Sequence, residues 1–136
     1  MKFQQYLENI GNVSSESKDA IREITRITNT TIDNTRRNNG YGINHLNFEV
    51  INEERAKEGI QINFEVTGSA NARDKLHVVS LLKRLMSDMR ETLWREKIFL
   101  EIMYHKIDLD YKHQYQPHRN GDELKFTTIA AAIVFS

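Results

Sequence analysis

The chain has 136 residues, 39% hydrophobic and 28% charged. That suits one domain with a modest core and leaves little room for a second. With a formal net charge of zero and a pI near 7, no whole-molecule field draws it to nucleic acid or anionic lipid, so any such contact has to be local. The chain contains no cysteine, which excludes disulfides, thiol catalysis and thiolate metal sites.

In chain order, "MKFQQYLENIGN" carries Phe3, Tyr6, Leu7 and Ile10 at helical spacing before Gly11. This reads as a short docking helix without the apolar region of a secretory signal. The run "SSESKDAIREITRITNTTIDNTRRNNG" opens on serine caps and places Ile21, Ile24, Thr28, Thr31 and Thr35 along one side, with Ile27 and Ile32 beside them. A second helix is expected, thinned by threonine and fading before the Asn/Gly loop. The two helices make up an N-terminal helical region over 1–38, ahead of a sheet-and-helix core over 43–136.

"NHLNFEVI" and "GIQINFEVT" alternate with period two, Leu46, Phe48 and Val50 on one face of the first and Ile60, Ile62, Phe64 and Val66 on one face of the second. Both are strands with a wet face, joined as an antiparallel hairpin through the charged stretch "NEERAKEG", a long or partly extended loop. The chain is expected to turn at Gly68, and the period then shifts to that of a helix. Leu76, Val79, Leu82, Leu85, Met86, Met89 and Leu93 form its stripe, widened by Val78 and Leu81. Ser69 or Asn71 is the expected cap, with Asn71 and Asp74 spaced as in a capping box. Trp94, near the far end, either closes the helix over the sheet, the commoner use of such a residue, or marks a contact surface.

Two strands follow, one with Ile98, Leu100, Ile102 and Tyr104 on a shared face, the other with Ile107, Leu109, Tyr111, His113 and Tyr115. Parity flips between them, so a bulge or bend near His105-Lys106 is required if both serve one core. "PHRNGDE" supplies turn chemistry before the closing run "LKFTTIAAAIVFS". There Leu124, Phe126 and Thr128 oppose Lys125 and Thr127, and from Ile129 both faces become apolar. About eight such residues are too few to cross a bilayer. A strand covered on both faces at its far end is expected, with Ala130, Ala131 and Ala132 small enough to admit the long helix or another subunit. The sum is an α+β fold, a mainly antiparallel sheet of four to five strands packed by one long amphipathic helix.

Chemistry-bearing clusters are sparse. His105, Asp108, Asp110, His113 and His118 have the residue types of a divalent metal site. On a strand, however, Asp108 and Asp110 face away from His113, and Lys106 and Lys112 interleave with them. A solvated, ion-paired face is the expected reading, with no metal and no cofactor. No nucleophile elbow or phosphate-cradling loop is present, His45 and His77 read as surface or core-margin histidines, and the chain is taken as a non-enzyme. From Arg73 to Lys97, seven basic residues outnumber four acidic ones. Arg73, Lys83, Arg84, Arg90 and Arg95, with Arg36 and Arg37, are the candidate contacts to phosphate or a protein partner. Interspersed acids such as Glu91 beside Arg95 equally describe a solvated helix.

The order "IQINFEVTGSANARDKLHVVSLLKRLM", then strands, then "DLDYKHQYQPHRNGDELKFTTIAAAIVFS" resembles the tail-terminator and tail-completion proteins of long-tailed bacteriophages over about residues 43 to 136. The resemblance implies a small structural subunit that forms a homo-oligomeric ring at the head-proximal end of a tail, located in the virion or host cytoplasm. It also implies contacts through strand edges or apolar strand faces, for which Trp94, Ile129, Ala131, Ile133 and Phe135 are the candidates, and basic residues facing DNA or the next ring. Two other roles fit the residues: an inhibitor or immunity protein acting through a charged surface that includes "NEERAKEG" and Asp108/Asp110, and a nucleic-acid-binding accessory protein.

Overall fold

The computed structural model describes residues 13–36, 42–110 and 123–136. Helix α1 (Ser15–Arg36) buries Ile21, Ile24, Ile27 and Ile32 together with Ala20, Ser17 and Thr28. Its threonines do not break it because their hydroxyls turn back on the helix. Thr31 Oγ1 donates to the Ile27 carbonyl at 2.7 Å and Thr35 Oγ1 to that of Ile32 at 2.8 Å, which satisfies groups that otherwise compete with helical bonding. Thr28 Oγ1, by contrast, is buried with no partner among the described residues. The docking helix expected within residues 1–12 and residues 117–122 of the turn "PHRNGDE" lie outside the described residues.

Strands β1 (Ile43–Ala56) and β2 (Gly59–Asn71) pair antiparallel along their whole length. The charged connection, expected to be long or partly extended, is mostly strand. Only Lys57 and Glu58 make the turn, and Gly59 at φ 152° leaves it, a conformation open to glycine because it has no Cβ. The two halves of β1 are out of phase, since Val50 faces Phe64 and Asn52 faces Asn63, which extrudes Ile51 as a bulge. One extra residue exchanges faces for everything beyond it. Glu53, opposite Ile62, and Arg55, opposite Ile60, consequently join the side that carries the helix.

That switch positions Glu53 at the start of α1. Ser14 caps the helix by accepting the Ser17 N–H at 3.2 Å, while Glu53 Oε2 accepts the Ser14 N–H at 3.0 Å, the Ser14 hydroxyl at 2.9 Å and the Ser17 hydroxyl. It is a capping box whose carboxylate arrives from the sheet instead of from the helix's own third residue. Burial pushes the Glu53 carboxyl up. The hydrogen bonds from Ser17 and Ser14, and then the Arg55 charge, outweigh it and hold the group below the usual glutamate value.

Gly68 does not turn the chain. It sits inside β2 with Leu46 and Phe126 as its cross-strand neighbours. A Cβ there would lie 2.7 Å from the His45 carbonyl oxygen and 2.8 Å from both the Leu46 and Phe126 side chains, so the absent side chain is what lets those two close over the strand. β2 continues to Asn71, and helix α2 (Lys75–Arg95) is capped by Asp74, whose carboxylate accepts the His77 N–H at 2.8 Å. The Ser69 and Asn71 caps are thus corrected: both residues are occupied in the ladder. The stripe is corrected too. Leu76 is 79% exposed, whereas Val78, Leu82, Leu85, Met86, Met89 and Leu93 are buried. At about 100° per residue Leu76 stands roughly opposite Val78.

After α2, Lys97 at φ 59° reverses the chain within two residues. β3 (Ile98–Ile102) follows, then a 3-10 turn (Tyr104–Lys106), β4 (Asp108–Leu109) and β5 (Glu123–Phe135). β3 and β4 both pair with the same edge of β5, and the turn between them is the break in phase that parity demanded near His105. Ile98, Leu100 and Ile102 before it and Ile107 after it are all buried. Of the strand expected to continue to Tyr115, Asp108–Leu109 is found as β4, and residues 111–115 lie outside the described residues. The five-stranded antiparallel sheet has order β1-β2-β5-β3, with β4 beside β5. α1 packs over β1, α2 over β3, and the helices touch each other on the same side. The fold is α+β, as read from the sequence.

Candidate assembly surface

The two described helices cover one face of the sheet, and among the described residues no element packs on the other. On the covered face β5 contributes Leu124, Phe126, Thr128, Ala130 and Ala132, all buried, the alanines small enough for close approach as expected. On the open face the described residues do not supply the expected cover. The far end of β5 is not sealed on both sides: Ile129 is 38% exposed, and Ala131, Ile133 and Phe135 are half-buried.

β3 extends this apolar strip, with Phe99, 42% exposed, standing directly across from Ile133. On the β2 side the strip meets a polar border, Gln61 opposite Ile133, Asn63 opposite Ala131 and Glu65 opposite Ile129. The border is itself tied together. Asn63 donates to Asn52 at 2.6 Å and Gln61 donates to Asn63 at 3.0 Å.

Trp94 closes nothing. It is 59% exposed, edge-on to Phe135 with ring centroids 5.5 Å apart. With Met86, Arg90, Glu91 and Leu93 of α2 and Ile98, Phe99 and Leu100 of β3 it lines an open groove of about 480 Å³ along the sheet edge. Of the residues expected at a contact surface, Trp94, Ile129, Ala131, Ile133 and Phe135 are gathered around this end of β5. Phe99 is the member the sequence reading missed, although the alternation of "IFLEI" already placed it opposite the core residues.

The basic candidates do not converge. Lys83 lies over the Tyr104 ring at 5.6 Å, where burial pushes the phenol up, Arg90 pulls it partly back and Glu101 adds to the rise. Arg95 pairs with Glu91 at 2.9 Å. At about 100° per residue, Lys83 and Arg90 share one side of α2, and Arg84 and Arg95 share another about 120° away. Arg73 is exposed before the helix, its N–H donating to His77 Nδ1 at 3.1 Å. Arg36 donates to the Asn44 carbonyl at the end of α1, and Arg37 lies outside the described residues. No family, no characterised protein and no solved structure matches this chain.

Asp108 and Asp110 border a shallow groove with His45 and Lys125, while His113 and His118 lie outside the described residues. Among the described residues no three His, Asp or Glu side chains are grouped to hold a metal. His45 Nδ1 and Ser69 Oγ are 3.1 Å apart, but Ser69 is fully buried, so its hydroxyl is sealed from any substrate and serves to anchor the imidazole on the sheet. No helix of the described residues is long and apolar enough to cross a membrane.

Proposed function

We propose that the chain is a non-enzymatic assembly subunit, of the tail-completion kind, whose copies join into a closed ring through the open face of the sheet. One observation carries this reading: the apolar strip of Phe99, Ile129, Ala131 and Ile133 on an uncovered sheet face, bordered by a hydrogen-bonded polar ladder. An apolar patch with a polar rim on a sheet face is the usual anatomy of a protein contact. Seated head to tail on a different surface of the next copy, such a face generates a ring when the rotation between neighbours closes.

Light scattering coupled to size exclusion tests it. The wild-type chain is expected to run as a defined oligomer, ring-shaped by electron microscopy, and I129E/I133E as a monomer with unchanged far-ultraviolet ellipticity. A wild-type chain that stays monomeric up to millimolar concentration overturns the reading.

A further inference from the structure

The sheet has two outer edges, and they are built differently. β1 carries two breaks in register, at Ile43/His45 and Val50/Asn52, and the charged run Glu53, Glu54, Arg55. Bulges and charge keep an edge from pairing, and an edge without them is commonly covered by a helix or a loop. β3 has neither bulge nor proline, and it pairs in unbroken register with β5 on its inner side.

Its outer side presents hydrogen-bonding groups. The Lys97 carbonyl accepts the Phe135 N–H at 2.9 Å, and the Met103 N–H donates to the Ile129 carbonyl at 2.8 Å. Inward residues of an antiparallel ladder alternate with outward ones, so Ile98, Leu100 and Ile102 direct their N–H and C=O groups to the free edge. Beside that edge runs the apolar groove under α2, with Trp94 exposed at its end. Among the described residues no element lies in it.

Residues 1–12 carry a stripe that fits this groove. On a helix, Phe3, Tyr6, Leu7 and Ile10 fall within an arc of about 100°, and Gln5, Glu8 and Asn9 fall on the other side. From Phe3 to Ile10 such a helix rises about 10 Å, and the stretch of α2 that lines the groove, Met86 to Trp94, rises about 12 Å. A helix this short is marginal alone in water and draws its stability from packing an apolar face.

The stripe also starts from the right place. Val13, where it joins the described chain, packs against the core, and Ser14 is tied to Glu53 beside the hairpin tip. Glu16 lines a second depression together with Phe135 and Ser136, and Phe135 is in edge contact with Trp94. A surface track therefore leads from the start of α1, past Phe135, to the groove. Phe135 belongs to β5, one strand spacing of about 4.8 Å from β3. Gly11, Asn12 and Val13 cover about 10 Å when extended, and Gly11 gives the turn its backbone freedom.

We infer that residues 3–10 dock as a helix in the groove between α2 and β3 of their own chain, Ile10 toward Trp94 and Phe3 toward Met86, and so cover the free edge of β3. Of the apolar strip on the open face only Phe99 lines that groove. Ile129, Ala131 and Ile133 stay uncovered, and the inference stands apart from the ring reading.

Trp94 is the chain's only tryptophan, so its fluorescence reports the cover. The measurement is made in the I129E/I133E background, where contact between copies through the strip is removed. Emission is expected to be shifted to the blue of free tryptophan and weakly quenched by acrylamide. Adding L7E/I10E is expected to shift it to the red and to raise the quenching constant toward that of free tryptophan. Adding Q5E/N9K, on the outer side of the helix, is expected to change neither. In the cysteine-free chain a short bismaleimide gives a second readout. Gln4 borders the stripe, so Q4C/S87C is expected to be joined within one chain, with no dimer on a denaturing gel. Q4C/K125C, whose second site lies toward the opposite end of β5, is not.

A Trp94 as open in the parent as in L7E/I10E overturns the docking and leaves the ring reading, which light scattering decides, untouched. A Q4C/S87C link formed only between two chains places the segment on another copy and overturns it as well. Should L7E/I10E lose the ellipticity of the whole fold, the cross-link decides alone, and its absence overturns the inference.

Discussion

The carboxylate of Glu53 gives the sharpest test of how the sheet holds α1. Replacing it with alanine removes the acceptor of the Ser14 N–H, the Ser14 hydroxyl and the Ser17 hydroxyl. Ser17 is fully buried, so its hydroxyl is left without that acceptor in a place water does not reach. Ser14 still accepts the Ser17 N–H and its hydroxyl lies 3.2 Å from that of Ser17, so the cap stays and what is lost is a charged acceptor, worth about 1–3 kcal/mol. E53A should therefore lose about 1–3 kcal/mol, with E53Q, which keeps one acceptor oxygen, between it and wild type. The folded pKa of Glu53 lies below its ordinary value, so the ionised group stabilises the fold fully above the unfolded pKa of about 4.3. That contribution drains away as pH falls through the lowered folded value. Urea unfolding followed by circular dichroism, at one fixed protein concentration, reads both effects. An E53A midpoint within error of wild type at pH 7, or a gap between wild type and E53Q that persists undiminished at pH 2, refutes the account.

Two further substitutions probe packing. G68A should destabilise by about 1–3 kcal/mol, because the new methyl meets a backbone carbonyl and two side chains that are already packed. A thermal midpoint equal to wild type would show that the strand has slack the packing does not suggest. T28V should stabilise by about 1 kcal/mol in urea unfolding, since it exchanges an unpartnered buried hydroxyl for a methyl of similar shape; a loss of stability there would mean that the hydroxyl is satisfied.

Alternation and helical period placed both described helices, the hairpin and the closing strand, because a two-layer fold writes its buried face directly into residue spacing. The break near His105 was legible for the same reason: Ile102 and Ile107 differ in parity yet belong to one core. What failed was punctuation. Gly68 and "NEERAKEG" look like loop, but the glycine answers to Phe126 and Leu46, residues distant in sequence or on another strand. The charges of the hairpin tip are tolerated because a bulge at Ile51 delivers Glu53 to a helix terminus. Neither cause is local, so neither leaves a local signal. The contact surface was half legible: exposed positions on β5 could be named, while their grouping with Phe99 depends on β3 lying next to β5 instead of next to β4.

The sheet order also has a kinetic side. β5 lies between β2 and β3, although it follows both in the chain. As synthesis proceeds from the N-terminus, the hairpin and the α2–β3 unit emerge with β2 and β3 each exposing an edge for which no partner strand yet exists. Folding then waits on distant pairings, which slows it, and the waiting species has more open edge than the finished one. A stalled or truncated chain lacking β5 is therefore the form most prone to aggregate, with its early halves locally formed and nothing to join them.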